Sequence, residues 1–481
     1  MDDLYSWLTN LPFSSDWPAS EPCKTLTLAG STNKSILLKA DRTAGSNTET
    51  LVTFSILLLG FHPSNPNKTL WISNPCPLSS PLPPLLLHLL QEVISLAPSP
   101  PLPSPPKLQP NAISSALSIP NEAPAFLKLV FLCRLFWLCA RDAPAEAGFL
   151  LFRTLDEPTL DSALACKRAA GAFLAALGPD WEQRFMRSLG YLLAKWLVLR
   201  ELQPGVAEPL PRHLRGLSYA VDSHGLWVLK AYVPVPAMQR LGGPAAEDSA
   251  IRYSLAHQQL EAVVQLEYAV CLRDPRFIRI ELRVDNIRVH VVRLGYKEDD
   301  DVDVEARHVP TRVRVLVGPE VGSGYVTGPS LGRSTSNPER EIESTRMVKG
   351  RVGKGGAELR AKARTCERAR VKRWKWEQEA DGCAGVYEGV LCDGADVAGG
   401  RDAMRIGGAR RGLVVAGDEV AEGVTWRAGK EMEGRVVTWR VGLKIWVSYF
   451  GEKGINKSGC FETRCEEWTE EVDLALVPFV N

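Results

Sequence analysis

The chain lacks the CxxC spacing of most zinc and redox sites: its closest cysteines, Cys460 and Cys465, stand five residues apart. The 11 cysteines are an odd number. With no secretory signal, they read as reduced, mostly buried thiols. The start, Met1-Asp2-Asp3-Leu4, has neither the basic region nor the apolar run of a signal peptide, and it is no Arg-rich transit peptide. A cytoplasmic or nuclear protein, not secreted, is therefore expected. No long uncharged hydrophobic run is present either. The best candidate, Phe126 to Ala140, contains Lys128 and Arg134, which predicts a buried helix and no transmembrane segment. A net charge of +1 removes any global pull toward nucleic acid or anionic membrane, so such binding must be local.

What is present suits several domains, since 481 residues exceed one typical domain and 45% hydrophobic content is ordinary for a globular chain. Thr25–Ala29, Ser35–Ala40 and Leu51–Phe61 are short apolar runs bounded by turn residues, and they predict strands. Leu82–Leu96 predicts a helix. Together residues 1–97 make a small mixed strand and helix region. Residues 98–123 are expected to be a linker, because seven prolines fall within 98–110. Residues 124–213 predict a helical region. There Asp180 and Gln183 stand in capping-box spacing, and Phe185, Leu189, Leu192, Leu193 and Trp196 share one helical face.

Residues 214–481 predict a mainly antiparallel β domain, which makes the fold class α+β with a β-sandwich-like C-terminal part. A hairpin is expected around Asp222-Ser223-His224-Gly225, and one long helix over 249–272. From Ile278 onward apolar residues alternate, and the phase flips between Val284 and Ile287. A two-residue hairpin at Asp285-Asn286 is preferred over one strand with a bulge. A turn at Asp381-Gly382 would pair Trp376 with Tyr387 and Trp374 with Gly389, with both tryptophans facing the core. Further strands are expected at Arg312–Val317, Gly412–Ala416, Val436–Trp439, Leu443–Tyr449 and Val472–Val477.

Few residues suggest chemistry. Gly328 to Thr335 is one residue short of a phosphate-binding loop and has Arg for its Lys, while Gly350 to Gly356 lacks the magnesium-holding Ser/Thr. The carboxylates of 298–305 miss the EF-hand frame and read as a solvated connection. Arg333-Ser334-Thr335-Ser336-Asn337-Pro338 matches a pattern read by phosphoserine-binding adaptors, making Ser336 a candidate phosphosite against the plainer reading of a turn. The seven histidines lie beside no Ser or Cys in a catalytic frame; no catalytic, cofactor-binding or metal-ligating residue is assigned, and no cofactor is expected.

From Lys349 to Lys375 there are 11 basic residues against Glu358 and Glu367. Lys349, Arg351, Lys354, Arg360, Lys362, Arg364, Arg368, Arg370 and Lys372 are candidate anion contacts. The favoured alternative is a flexible basic segment, 349–372, balanced by the acidic run from Glu462 to Asp473. A dedicated nucleic-acid or anionic-lipid site is the less favoured reading, because no known binding module is matched.

MDDLYSWL, LKADRTAGSN, RLFWLCARDAP, LAHQQLEAVVQLEY, RVDNIRVHVVRLG, VGPEVGSGYV with SLGRST, WKWEQEADG and EVDLALVP together resemble a plant-specific family of uncharacterised proteins. The resemblance spans almost the whole chain and implies an intracellular plant protein, but it transfers no activity. The expectation is a non-enzymatic binding or scaffold protein with an unknown protein partner; an enzyme without a recognisable motif is the remaining alternative.

Overall fold

The computed structural model describes residues 4–12, 17, 23–44, 50–62, 67–97, 108, 110–201, 214–223, 225–236, 257–274, 276–294, 307–320, 325–332, 340–352, 359–371, 374–391, 413–416, 423–450 and 462–477. The chain divides into two units. One holds Met1–Asp222, Val228–Val263 and His290–His308; the other holds Ser223–Trp227, Val264–Val289 and Val309–Asn481. Helices occupy the N-terminal part and antiparallel sheets the remainder, an α+β fold.

The first unit opens with helix α1 (Leu4–Thr9) and strands β1 (Cys23–Gly30), β2 (Ser35–Ala44), β3 (Thr50–Leu59), β4 (Asn67–Ile72) and β5 (Cys76–Pro77). The sheet order is β1-β2-β3-β4, with β5 also on β3. Its register sets Ile36 opposite Leu58, Leu38 opposite Ile56 and Ala40 opposite Phe54, all of them buried. Directly opposed residues share a face, so this row is the sheet's core side.

Seven helices follow: α2 (Leu82–Ser95), α3 (Pro110–Leu117), α4 (Ala123–Arg141), α5 (Ala145–Thr154), α6 (Glu157–Leu164), α7 (Lys167–Leu177) and α8 (Pro179–Glu201). The sheet and the helices share one hydrophobic core, in which residues from Leu4 to Leu294 are joined. Residues 1–97 and 124–213 are therefore not separate regions divided by a linker. Part of the expected linker is itself a helix: Pro110 starts α3, where its missing N–H costs nothing, and Ile113 and Ala116 are buried. Residues 98–107 lie outside the described residues.

α4 is long and apolar enough to cross a membrane, yet most of it is buried inside this unit. Its two buried cations have partners: Lys128 bonds Ser162, and Arg134 Nε meets Glu92 at 2.6 Å. Glu92 also accepts from Trp71 Nε1 at 2.8 Å, so one carboxylate joins β4, α2 and α4. Burial raises that carboxyl, but the His88 hydrogen bond and the Arg134 charge outweigh it and hold the group below its ordinary range. α8 begins at Pro179, which places Asp180 in the first turn and removes the expected capping box. Its predicted apolar face is buried as read.

The remaining strands are β6 (Leu217–Ser223), β7 (Leu226–Pro236), β8 (His257–Asp274), β9 (Phe277–Leu294), β10 (Arg307–Pro319), β11 (Val326–Leu331), β12 (Arg340–Val352), β13 (Leu359–Val371), β14 (Trp374–Asp381), β15 (Ala384–Leu391), β16 (Leu413–Ala416), β17 (Val424–Gly429), β18 (Val436–Phe450) and β19 (Glu462–Ala475). Seven form a sheet ordered β11-β17-β9-β8-β7-β6, with β16 also on β9; five form the order β14-β15-β10-β18-β19. Within the second unit these sheets face each other. Trp439 of β18 meets Trp426 of β17 edge-on at 4.8 Å, and Trp426 Nε1 donates to the Cys383 carbonyl at 2.8 Å. The β-sandwich expectation holds.

Three readings are corrected. The helix over 249–272 is strand β8 from His257, with 249–256 outside the described residues. Leu260, Ala262, Val264, Leu266 and Val270 are buried at even spacing, so period-two burial overrides the helix-favouring Gln, Glu and Ala. The hairpin at Asp285-Asn286 is instead one continuous strand, β9. Its buried parity still flips there, between the segment paired to β17 (277–282) and the segment paired to β16 (286–289). The segments Val436–Trp439 and Leu443–Tyr449 are likewise the single strand β18.

The tryptophan hairpin forms one residue later than expected. Asp381 pairs with Ala384, Gly382 takes φ +62°, Trp376 opposes Gly389 and Trp374 opposes Leu391. The shift preserves the face: Trp376 is 4% exposed and Tyr387 is fully buried, while Trp374 is half-buried. Gly389 is required because a Cβ there would stand 2.8 Å from the Trp376 ring. Gly389→Val is expected to lower unfolding free energy by about 1–3 kcal/mol through overpacking, read as a lower urea midpoint at unchanged slope.

Candidate anion-binding ribbon

β12 and β13 form a two-stranded sheet of their own. Most of the basic segment is thus paired strand, correcting the flexible reading of 349–372; Lys354 and Lys372 lie outside the described residues. The missed signal was spacing. Arg360, Lys362, Arg364, Arg368 and Arg370 all fall on even positions, and Leu359, Ala361, Ala363, Ala369 and Val371 on odd ones.

Register divides the seven candidates among the described residues into three groups. Arg370 opposes Glu341 and Arg368 opposes Glu343, which are cross-strand pairs of opposite charge. Lys349 opposes Lys362 and Arg351 opposes Arg360, and Arg364 opposes Met347. Directly opposed like charges destabilise an antiparallel pair. Two such pairs in succession concentrate positive charge at Lys349, Arg351, Arg360 and Lys362, with Arg364 next in line. Sequence spacing alone could not make this separation, because the partner strand was not foreseen.

The described part of the acidic C-terminal run is strand. It lies on β19 and pairs with β18, where Lys444 Nζ meets Glu467 at 2.7 Å and Arg440 Nε meets Glu471 at 3.5 Å. Gly328 falls in the irregular register between Thr327 and Ser330 of β11, an edge strand rather than a phosphate loop. Gly350 lies within β12, while Ser336 and the carboxylates of 298–305 are outside the described residues.

Other polar clusters were invisible in sequence because their members are distant. Glu182 on α8 is buried and accepts from Tyr219, from Lys230 and, at 2.7 Å, from Tyr232. Three donors on one carboxylate fasten α8 to β6 and β7. Burial and then the Glu182 charge push both phenols far above their ordinary range. A cleft of about 500 Å³ on the second unit is lined by Glu267, Arg279, Glu281 and Arg283. Its charges are mutually paired, Arg283 with Glu267 at 2.5 Å and Arg279 with Glu281 at 2.8 Å. Among the described residues no group of three His, Cys, Asp or Glu could hold a metal. Burial pushes the Cys133 and Cys139 thiols up to about 12 and Cys76 to about 11, which keeps them protonated and inert.

No protein-family model matches the chain, and no curated protein matches it. Among solved structures, the Clostridium perfringens NetB toxin in its membrane-inserted form is 8% identical, with TM-score 0.18, covering 54% of this chain and 98% of that chain. The Clostridium perfringens delta-toxin is 10% identical at TM-score 0.19, covering 53% of this chain and 96% of that one. A pore forming protein is 9% identical at TM-score 0.20, covering 53% and 94%. At these TM-scores the matches establish no common fold and carry no inference.

Glu182→Ala leaves Lys230, Tyr219 and Tyr232 without their acceptor. It is expected to cost about 3–5 kcal/mol in urea unfolding, more than Glu182→Gln. The raised phenols add a pH dependence. Unfolded tyrosines ionise near about pH 10 while these remain protonated in the fold, so their contribution is complete below that value and lost as pH rises above it. Tyr219→Phe with Tyr232→Phe should flatten the fall in unfolding midpoint between about pH 9 and 11.

Proposed function

We propose that this chain is a non-enzymatic binding protein whose contact element is the β12–β13 ribbon and whose partner carries clustered negative charge. The observation that carries this reading is the succession of two like-charge cross-strand pairs, Lys349 with Lys362 and Arg351 with Arg360. Their repulsion is relieved when an anion sits between them, so the ribbon gains stability on binding. Arg368 and Arg370, opposite glutamates, position the strands more than they attract. A location in the cytoplasm or nucleus of a plant cell belongs to the same reading and rests on the sequence.

Heparin, a soluble polyanion, tests this. Its affinity should fall linearly with salt on logarithmic axes. Replacing Lys349, Arg360 and Lys362 together by Gln should make that slope shallower by about one per lost contact. Arg368→Gln with Arg370→Gln should change it far less. An identical slope for the triple variant removes the ribbon as the contact element.

A further inference from the structure

The register that gathers the cations also gathers an apolar row. At positions of the opposite parity, Val348 opposes Ala363, Gly350 opposes Ala361 and Val352 opposes Leu359. Nearer the base the same parity is mixed, with Arg346 opposite Thr365 and Ser344 opposite Glu367 before Ile342 meets Ala369. The half of the ribbon farthest from its chain ends is thus cationic at one parity and apolar at the other. A nucleic acid uses only the first property; an acidic lipid surface uses both.

We infer that this half of the ribbon is an interfacial anchor for an acidic bilayer, its apolar row at the acyl boundary and its cations level with the headgroup phosphates. The inference rests on the anion-binding reading above. Amphipathic elements with a basic polar face bind membranes through buried apolar area plus attraction to anionic lipid. A two-stranded hairpin alone is marginally stable in water, and a bilayer covers its apolar face as a third layer would. Among the described residues neither outer edge of this sheet pairs with another strand, and hydrocarbon does not tolerate unpaired backbone groups. The ribbon therefore lies in the interface and does not span.

The test is flotation of the full chain with phosphatidylcholine vesicles, with and without phosphatidylserine, alongside heparin and duplex DNA binding. Vesicle binding should require phosphatidylserine. Val348→Asn with Val352→Asn should weaken it about tenfold or more while leaving heparin affinity unchanged, because only apolar burial is lost. Ala361→Asn with Ala363→Asn, on the other strand, should do the same and guards against a local folding defect. Vesicle binding unchanged in both apolar variants overturns the lipid inference and leaves polyanion binding standing. Heparin or DNA binding without vesicle binding does likewise. Loss of heparin, DNA and vesicle binding alike in the unsubstituted chain removes both readings. Discrete single-channel conductance steps in a planar bilayer overturn the interfacial placement, since a defined conducting pore requires spanning.

Discussion

Two residues directly opposed in an antiparallel pair share a face, and in this chain that constraint sorts apolar surface from charge. It aligns Ile36, Leu38 and Ala40 of β2 with Leu58, Ile56 and Phe54 of β3 as one side of the N-terminal core. It aligns Val437 and Trp439 of β18 with Leu474 and Val472 of β19 on the inner face of the sandwich. The intervening positions carry Arg440 and Lys444 opposite Glu471 and Glu467. At β12–β13 the same rule opposes cation to cation. A single geometric relation thus makes a core in two places and an electrostatic demand in a third.

Polar groups inside the first unit obey a different economy. α4 is apolar on every side, so its Lys128 and Arg134 are buried with it and need partners from other elements. Glu92 supplies one for Arg134 and Ser162 one for Lys128, while Glu182 plays the corresponding part between α8 and the following hairpin. These bonds cost desolvation and return orientation: they hold helices at particular angles to strands that apolar packing alone would leave freer.

Much of the fold was legible in sequence. β1 to β3, α2, the helical run from α4 to α8 and the outer strands of the sandwich follow from period and punctuation. The errors came where propensity and burial disagree. β8 is rich in helix-favouring residues, yet its apolar positions alternate, and a strand between two neighbours is decided by those alternate positions. The phase flip in β9 was visible, but its cause was not, because a hairpin and a partner change produce the same pattern along one chain. The site was legible in composition and illegible in arrangement: of the seven basic candidates among the described residues, four stand out as opposed cations only when β12 is laid beside β13.

By itself the sequence determined the class of fold, the burial of α4, the core role of Trp376 and the location of the basic residues, because each depends on local periodicity or local charge. Tertiary structure alone decided which charges meet. Register joins positions that can lie dozens of residues apart, and a slip of one residue moves every partner to the other face, so no reading along a single strand can supply it. The same holds for Glu182, whose three donors come from residues that only packing brings to α8.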